Sequence, residues 1–154
     1  MPADNNEQDS YGIPRTHDTS DLLDGFVRSE FITGYNCTHC GVQDITEKKL
    51  DILSTPKILV LGLKRFKGVR KLSDFVEFPL QLSLKYVNVG NEQHQLYRIT
   101  GVVVHKGPSI AAGHYISYVY SEGIWLEIND SSVREVEWEM MRNLGVYLLF
   151  YLRL

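Results

Sequence analysis

Most of the apolar stretches along the chain have the length and period of β-strands. Residues 58–63, Ile-Leu-Val-Leu-Gly-Leu, are apolar throughout, which predicts a strand buried on both faces of a sheet. Four later stretches also read as strands, over residues 97–105, 115–120, 124–128 and 146–152. Because these strands are close in sequence and few helices separate them, the sheet at this end is predicted to be largely antiparallel.

Two short helices are predicted. The first begins at Asp21, where four apolar residues recur at helical spacing behind a capping-box pair of acids, and it ends before Phe31. The second covers about residues 136–143, with Ser132 and Glu135 at capping-box spacing before it. An α+β fold class follows.

The domain organisation predicted from composition is simple. Residues 1–20 are mostly polar and show no sustained apolar period, so we expect a flexible polar tail. Residues 21–154 form one domain, because a chain of 154 residues suits a single hydrophobic core.

Charge and hydropathy exclude two classes of partner. The net charge of -3, from 16 basic and 19 acidic side chains, gives no surface suited to nucleic acid. The longest apolar run, residues 144–152, is about half of the ~20 residues that a membrane helix needs. The N-terminus lacks the basic and apolar parts of a secretory signal, so an intracellular location, cytoplasmic or nuclear, is expected.

The two cysteines of the chain, Cys37 and Cys40, are spaced Cys-Thr-His-Cys. In a reducing compartment this spacing indicates a metal knuckle before a disulfide. A second local feature, the basic pair Lys64 and Arg65, follows the apolar strand, and we interpret it as the solvated end of that strand.

The main candidate for chemistry is a hairpin that turns at residues 121–123, Ser-Glu-Gly. Counting outward from this turn places His114 opposite Asn129, Asp130 or Ser131. An imidazole that acts as base for a thiol needs its second ring nitrogen held by an acceptor, and Asn129 can do this as well as an acid. Gly113 leaves room for an extended substrate backbone. The alternative is an ordinary strand histidine beside a turn that caps a helix.

Six motifs, taken in order, resemble the ubiquitin-specific protease family (ubiquitin carboxyl-terminal hydrolase, peptidase C19). The resemblance runs from about residue 21 to residue 154. The motifs are residues 35–40 (Tyr-Asn-Cys-Thr-His-Cys), 58–66 (Ile-Leu-Val-Leu-Gly-Leu-Lys-Arg-Phe), 102–107 (Val-Val-Val-His-Lys-Gly), 113–115 (Gly-His-Tyr), 125–131 (Trp-Leu-Glu-Ile-Asn-Asp-Ser) and 147–151 (Tyr-Leu-Leu-Phe-Tyr).

The resemblance implies a papain-like cysteine protease fold, here partial, with the palm and part of the fingers present and the thumb missing. It implies cleavage of bonds after the C-terminal glycine of ubiquitin, with His114 as general base and Asn129 as the orienting residue. Asp130 is the following family acid, which assists oxyanion stabilisation or substitutes in orienting the histidine. Gly113 and Tyr115 are placed at the substrate.

The sequence departs from the family in two places. No box resembling Gly-Asn-Thr-Cys-Tyr exists, so no nucleophile is expected, and Cys37 and Cys40 match the family's zinc knuckle. A closed zinc site takes four ligands, and this pair gives half of them. We therefore expect no cofactor for catalysis, an incomplete structural zinc site, and no hydrolysis by the chain alone.

Three functions remain open from the sequence. In the first, the chain is a fragment of a deubiquitinase whose N-terminal thumb segment is encoded elsewhere, or Met1 is not the true start. Alternatively, it is a non-catalytic module that binds ubiquitin or a ubiquitinated protein. The third and weakest option is a small zinc-knuckle interaction module.

Overall fold

The computed structural model describes residues 16–41, 43–68, 70–72, 74–109, 111–142 and 144–154. These ranges contain thirteen strands, one α-helix and one 3₁₀ turn. In chain order the elements are β1 (Thr16–Asp18), α1 (Thr19–Val27), β2 (Glu30–Asn36), β3 (Gln43–Lys48), β4 (Ile58–Gly62), β5 (Phe66–Lys67), β6 (Arg70–Lys71), β7 (Phe75–Glu77), β8 (Gln81–Asn88), β9 (Asn91–Ser109), β10 (Ala112–Ser121), β11 (Ile124–Asn129), β12 (Ser132–Val136), the 3₁₀ turn (Trp138–Met141) and β13 (Val146–Arg153).

The first described residues, from Thr16 onward, already form regular structure. β1 runs parallel to β7, and the buried Thr19 donates its hydroxyl hydrogen to the carbonyl oxygen of Glu77 at 2.6 Å. The flexible polar tail predicted over residues 1–20 is therefore wrong for residues 16–20, because residues 16–18 pair with β7 and residues 19–20 begin α1. Residues 1–15 lie outside the described ranges.

Helix α1 begins two residues before its predicted start. The carboxylate of Asp18 accepts a hydrogen bond from the Ser20 backbone N–H at 2.7 Å and so caps the helix. The helix ends at Val27, before Phe31, as predicted. Asp21 lies inside the first turn and does not form the cap.

The main sheet has seven strands in the order β12-β11-β10-β9-β13-β4, with β8 also paired to β9. Every pair in it is antiparallel, which confirms the prediction. β9 is the longest strand, and β13 pairs along the edge opposite to β8 and β10. The sheet is therefore organised around β9.

One face of the main sheet carries the hydrophobic core. Tyr97, Leu149 and Tyr151 are fully buried there, and Leu23 of α1 and Trp138 of the 3₁₀ turn pack against the cluster. The hydroxyl of Tyr97 donates to the Pro56 carbonyl oxygen at 2.6 Å, so this buried polar atom is satisfied.

The opposite face of the main sheet, called the outer face below, is also apolar. Cross-strand partners share a face, and one such row joins Leu126, Val119, Gly101, Phe150 and Val60. Seven outer-face side chains are 36–60% exposed. They are Ile58, Val60, Val119, Ile124, Ile128, Val133 and Leu152.

Two sequence predictions about individual strands need correction. β4 is an edge strand that pairs with β13, and Ile58 and Val60 are 55% and 49% exposed, so the prediction that it is buried on both faces is wrong. Only its alternate residues, Leu59 and Leu61, pack against the core.

The helix predicted over about residues 136–143 is also wrong. Ser132 and Glu135 belong to β12, which pairs with β11 through Asn129 opposite Ser132. The turn between the strands places Asp130 at a φ of +53°, a conformation that returns the chain as a hairpin. A single 3₁₀ turn, Trp138–Met141, follows, and Asn143 lies outside the described residues.

In the described part of the chain, no helix has the length and apolar character needed to cross a membrane.

Candidate active site

The hairpin β10–β11 has the register counted from its turn. Ser121 lies opposite Ile124 and Ser117 lies opposite Ile128. Glu122 and Gly123 form the turn with φ values of +52° and +92°, the left-handed conformation that two-residue hairpin turns require. The predicted register is confirmed, and it brings His114 to the end of β11.

His114 is hydrogen-bonded to Asn129 at the open end of this hairpin. The distance between His114 Nε2 and Asn129 Oδ1 is 2.6 Å, whereas Asp130 Oδ2 lies 3.9 Å from the same nitrogen. A carboxamide oxygen only accepts, so Nε2 carries the hydrogen and Nδ1 keeps its lone pair. The imidazole is therefore oriented as a base at Nδ1, with Asn129 as its partner among the three residues considered from the sequence.

Solvent reaches this pair from one side. The side chain of His114 is 45% exposed and that of Asp130 is 80% exposed. The exposed side of the ring is therefore accessible from solvent, and the Asp130 carboxylate beside it is largely solvated.

A β-bulge precedes the histidine. The pairing of β10 with β9 shifts register between Ala112, opposite Ser109, and His114, opposite Lys106. A bulge of this kind changes the direction of the neighbouring side chain, and bulges are common beside active sites. Gly113 lies at the shift, and a Cβ on it would come 2.0 Å from His105 Nε2. The residue predicted to make room for substrate is thus also required by packing.

Tyr115, the second predicted substrate residue, lies beyond the bulge. Its ring is 4.8 Å from that of His105 and 6.0 Å from that of Tyr147, centroid to centroid. It is 48% exposed, so one side of the ring is open to solvent. Gly113, His114 and Tyr115 therefore sit together at the surface that β9 and β10 form.

A charge network that the sequence analysis missed spans three strands of the sheet and is built on the buried Glu127, with Arg134 57% exposed. Glu127 accepts a hydrogen bond from the Tyr118 hydroxyl at 2.8 Å and two from the Arg134 guanidinium, at 2.7 and 3.0 Å. Hydrogen bonding to Arg134 lowers the pKa of Glu127, and burial with hydrogen bonding to Glu127 raises that of Tyr118 to about 12. The sequence signal for this network is the position of Glu127 two residues after Trp125, because alternate residues of a strand share a face and Trp125 is buried.

Arg65 is another correction. Lys64 is exposed as expected, but Arg65 is 5% exposed, so the interpretation as a solvated strand end is wrong for it. Its guanidinium donates to the Val146 carbonyl oxygen at 2.8 Å and to the Asp74 carbonyl oxygen. The buried charge is accommodated by backbone oxygens, and burial lowers its pKa.

The two cysteines lie between β2 and β3, in a two-stranded sheet separate from the main sheet. The Gly41 N–H donates to the Cys37 carbonyl oxygen at 2.8 Å and closes the turn. Backbone N–H groups of Cys40 and His39 lower the pKa of Cys37. Thiolates are ligands that zinc prefers, so the pair fits half of a four-ligand site. Among the described residues, no group of three or more His, Cys, Asp or Glu could hold a metal.

Comparisons with known proteins agree with this arrangement. A family model described as "Ubiquitin carboxyl-terminal hydrolase" matches residues 9–151. Ubiquitin carboxyl-terminal hydrolase 16 of Arabidopsis thaliana is 36% identical over 141 residues, which are 86% of this chain and 14% of that protein. Ubiquitin carboxyl-terminal hydrolase 8 of Saccharomyces cerevisiae is 36% identical over 150 residues, 85% of this chain and 31% of that one.

A solved structure gives the same result for the fold. The SAGA Ubp8/Sgf11/Sus1/Sgf73 DUB module bound to ubiquitin aldehyde matches with a TM-score of 0.75 and 33% identity, covering 90% of this chain and 35% of the solved chain. The predicted α+β class and partial papain-like fold are confirmed. The chain spans about a third or less of the proteins it matches.

Proposed function

Because the chain belongs to the ubiquitin carboxyl-terminal hydrolase family, we propose that it carries the histidine half of a thiol-dependent site that cleaves bonds after the C-terminal glycine of ubiquitin. The hydrogen bond between His114 Nε2 and Asn129 Oδ1 is the observation that supports this most directly. It gives the imidazole the tautomer that a base for a thiol needs.

In this mechanism His114 Nδ1 takes the proton of a cysteine thiol, and the thiolate attacks the carbonyl carbon of the terminal glycine. Asn129 holds the ring and stabilises the imidazolium that forms. His114 then gives the proton to the leaving amine, and water, deprotonated by the same imidazole, hydrolyses the remaining thioester and releases the thiol. Asp130, 3.9 Å from Nε2, either assists stabilisation of the oxyanion or replaces Asn129 in orienting the ring.

The nucleophile, in this proposal, comes from another segment. The two cysteines of the sequence occupy the β2–β3 turn, and His114 lies on the main sheet. A thumb segment that brings the thiol has an apolar surface available to it. Exposed apolar patches of this extent mark interaction sites, and the outer face offers seven partly exposed aliphatic side chains.

Cleavage of a fluorogenic ubiquitin C-terminal amide tests this function. We expect no turnover by the chain alone, and turnover when an upstream segment with a cysteine box is joined or added. His114→Ala should abolish that turnover, and His94→Ala, which changes an exposed histidine on β9, should leave it unchanged. Turnover by the chain alone that His114→Ala abolishes would overturn the need for another segment.

A non-catalytic module that binds ubiquitin is the second candidate, and the position of both cysteines in one hairpin turn favours it. Titration of the chain with monoubiquitin tests it. Binding without any cleavage in the extended protein supports the module. No binding at high micromolar concentration removes it.

We also propose that Cys37 and Cys40 provide two of the four ligands of a structural zinc site, the other two coming from outside the described residues. When bound, zinc would tie the β2–β3 hairpin to whatever carries the other ligands. Elemental analysis of the chain refolded with zinc should give less than one tightly held zinc per chain. A full equivalent would show that the chain completes the site itself.

A further inference from the structure

The space beside Gly113 is filled by the ring of His105. A Cβ at Gly113 would lie 2.0 Å from His105 Nε2, 2.7 Å from its Cε1 and 2.9 Å from the Lys106 carbonyl oxygen, contacts that real Cβ atoms do not make. The two shortest of them are with the ring of His105. The facing glycine of β9 is equally confined, because a Cβ on Gly107 would lie 2.4 Å from the Ala112 carbonyl oxygen and 2.5 Å from the Gly113 Cα. The bulge is thus held from both sides.

His105 itself is fixed from several directions. It is 3% exposed, and its ring packs against Phe66 at 5.8 Å and Tyr115 at 4.8 Å between centroids. The ammonium of Lys71 donates to the carbonyl oxygens of His105 and Gly107, which fixes the backbone of β9 at this point. The ring therefore has little freedom to move away from the bulge.

The role of the His105 imidazole is not a hydrogen bond through Nδ1. In the described part of the chain that nitrogen is buried and has no hydrogen-bond partner. Burial, and then the charge of Lys71, lower the pKa of His105, so the ring is neutral near pH 7. Its contribution to the site is its shape and its fixed position.

We propose that His105 is a positioning residue for His114: its buried ring supports the Gly113 bulge and thereby directs His114 toward Asn129. This inference rests on the proposed function for its catalytic meaning, but its geometry can be tested separately. His105 acts through the backbone of Gly113 and touches no reacting atom in the mechanism above.

A size-exchange experiment tests this proposal. The chain is labelled with ¹⁵N-histidine, and long-range ¹H–¹⁵N spectra report whether His114 Nε2 carries a hydrogen-bonded proton. The variants are His105→Ala, Gly113→Ala and the double variant, with Gly101→Ala as control. Gly101 also lies on β9, but a Cβ there would meet its neighbours at 3.5 Å or more, an ordinary contact.

We expect wild type and Gly101→Ala to show the hydrogen-bonded Nε2 proton and each single variant at His105 or Gly113 to lose it. The double variant should recover it in part, because the small side chain at 105 removes the two shortest contacts of the new Cβ and leaves the 2.9 Å contact with the Lys106 carbonyl oxygen. Independent effects would make the double variant worse than either single one. Recovery of a folded spectrum in the double variant, if Gly113→Ala unfolds, supports the proposal equally.

Three outcomes would overturn it: a wild-type spectrum without the hydrogen-bonded proton, a His105→Ala spectrum identical to wild type, or a double variant no better than Gly113→Ala. In the cleavage assay of the extended protein, His105→Ala should lower kcat about tenfold or more and change KM much less. Size-exchange recovery without cleavage in that assay contradicts the deubiquitinase function and leaves the positioning role standing.

Discussion

His114 and Asn129 are joined by a 2.6 Å hydrogen bond at the point where the two strands of their hairpin stop pairing. The last paired residues of β10 and β11 are Ser117 and Ile128. Beyond them β10 turns at its bulge and β11 enters the turn to β12. The pair thus lies just beyond the paired part of the hairpin, where its side chains meet and His114 is 45% exposed.

The two distances to His114 predict a difference between Asn129 and its neighbour. Asn129→Ala removes the acceptor at 2.6 Å, whereas Asp130→Ala removes a group at 3.9 Å. We expect Asn129→Ala to reduce kcat for a ubiquitin amide at least about tenfold more than Asp130→Ala, within the ~10²–10⁴-fold range of acid–base catalysis. The measurement is steady-state kinetics of the extended protein.

Asn129→Asp serves as the conservative control in that series. It keeps an oxygen acceptor at the same position and should retain more activity than Asn129→Ala. A larger loss in Asp130→Ala than in Asn129→Ala would assign the orienting role to Asp130 instead.

The Glu127 network predicts a pH-dependent contribution to stability. Glu127→Gln leaves Arg134 and Tyr118 without their charged acceptor, and we expect a loss of about 1–3 kcal/mol in the free energy of unfolding at pH 7. The folded-state pKa of Glu127 is lowered, so this contribution is complete above the unfolded pKa of 4.5 and is lost as pH falls through the folded pKa.

Urea denaturation at pH 7 and pH 3.5 measures this effect. The difference between wild type and Glu127→Gln should be smaller at the lower pH, because pH 3.5 lies below the unfolded pKa of 4.5 and the unfolded state there takes up a proton that the folded state, with its lowered pKa, binds less readily. Glu135→Gln, an exposed acid on β12, is the control and should change stability little. An equal difference at both pH values would contradict the prediction.

His105 predicts a second pH-dependent contribution to stability, nearer to neutrality and lost in the same direction, as pH falls. Its pKa is lowered in the folded chain, first by burial and then by Lys71, so its stability contribution is complete above the unfolded pKa of 6.5. As pH falls below 6.5, the unfolded state takes up the proton first and the folded state loses stability relative to it. As pH is lowered from 7.5 to 5.5, we expect the melting temperature to fall more steeply for wild type than for His105→Leu.

The steepness is bounded, since one proton changes the free energy of unfolding by at most about 1.4 kcal/mol per pH unit. His94→Leu, which removes an exposed histidine of β9, is the matched control and should keep the wild-type slope. Parallel melting curves for wild type and His105→Leu would contradict the prediction.

Cys37 should be the reactive cysteine of the pair at neutral pH. Backbone N–H groups of Cys40 and His39 lower the pKa of its thiol, so more of it is thiolate than in an unstructured peptide. We expect alkylation of Cys37 by iodoacetamide to rise at lower pH than alkylation of the same segment as a free peptide. Peptide mapping by mass spectrometry distinguishes alkylation of Cys37 from that of Cys40. Coincident pH profiles for Cys37 in the chain and in the free peptide would contradict the prediction.

The hairpin register was predictable because two local signals agree. Alternating side chains fix which residues share a face, and the Glu-Gly turn fixes the centre of the count. Counting from the turn could not choose among Asn129, Asp130 and Ser131, although the family resemblance favoured Asn129. The bulge at Gly113 changes where His114 points, and a single glycine in a strand does not reveal a bulge by itself.

The helix predicted after Ser132 is wrong because the local sequence signals fit two structures. Ser132 and Glu135 have the spacing of a helix cap, but the same residues pair with β11 once the turn at Asp130 has formed. The interpretation of Arg65 as part of a solvated strand end is wrong for a related reason. A charged residue is normally solvated, and only the tertiary structure brings the Val146 carbonyl oxygen to its guanidinium.

β13 lies between β9 and β4 in the main sheet, although β4 precedes it by more than eighty positions in the chain. During synthesis β4 therefore emerges long before the strand that pairs with it, and its aliphatic side chains stay uncovered in the meantime. Such long-range pairing slows folding and favours association with other chains or with chaperones. β4 thus joins the main sheet only after β13 has been synthesised and has paired with β9.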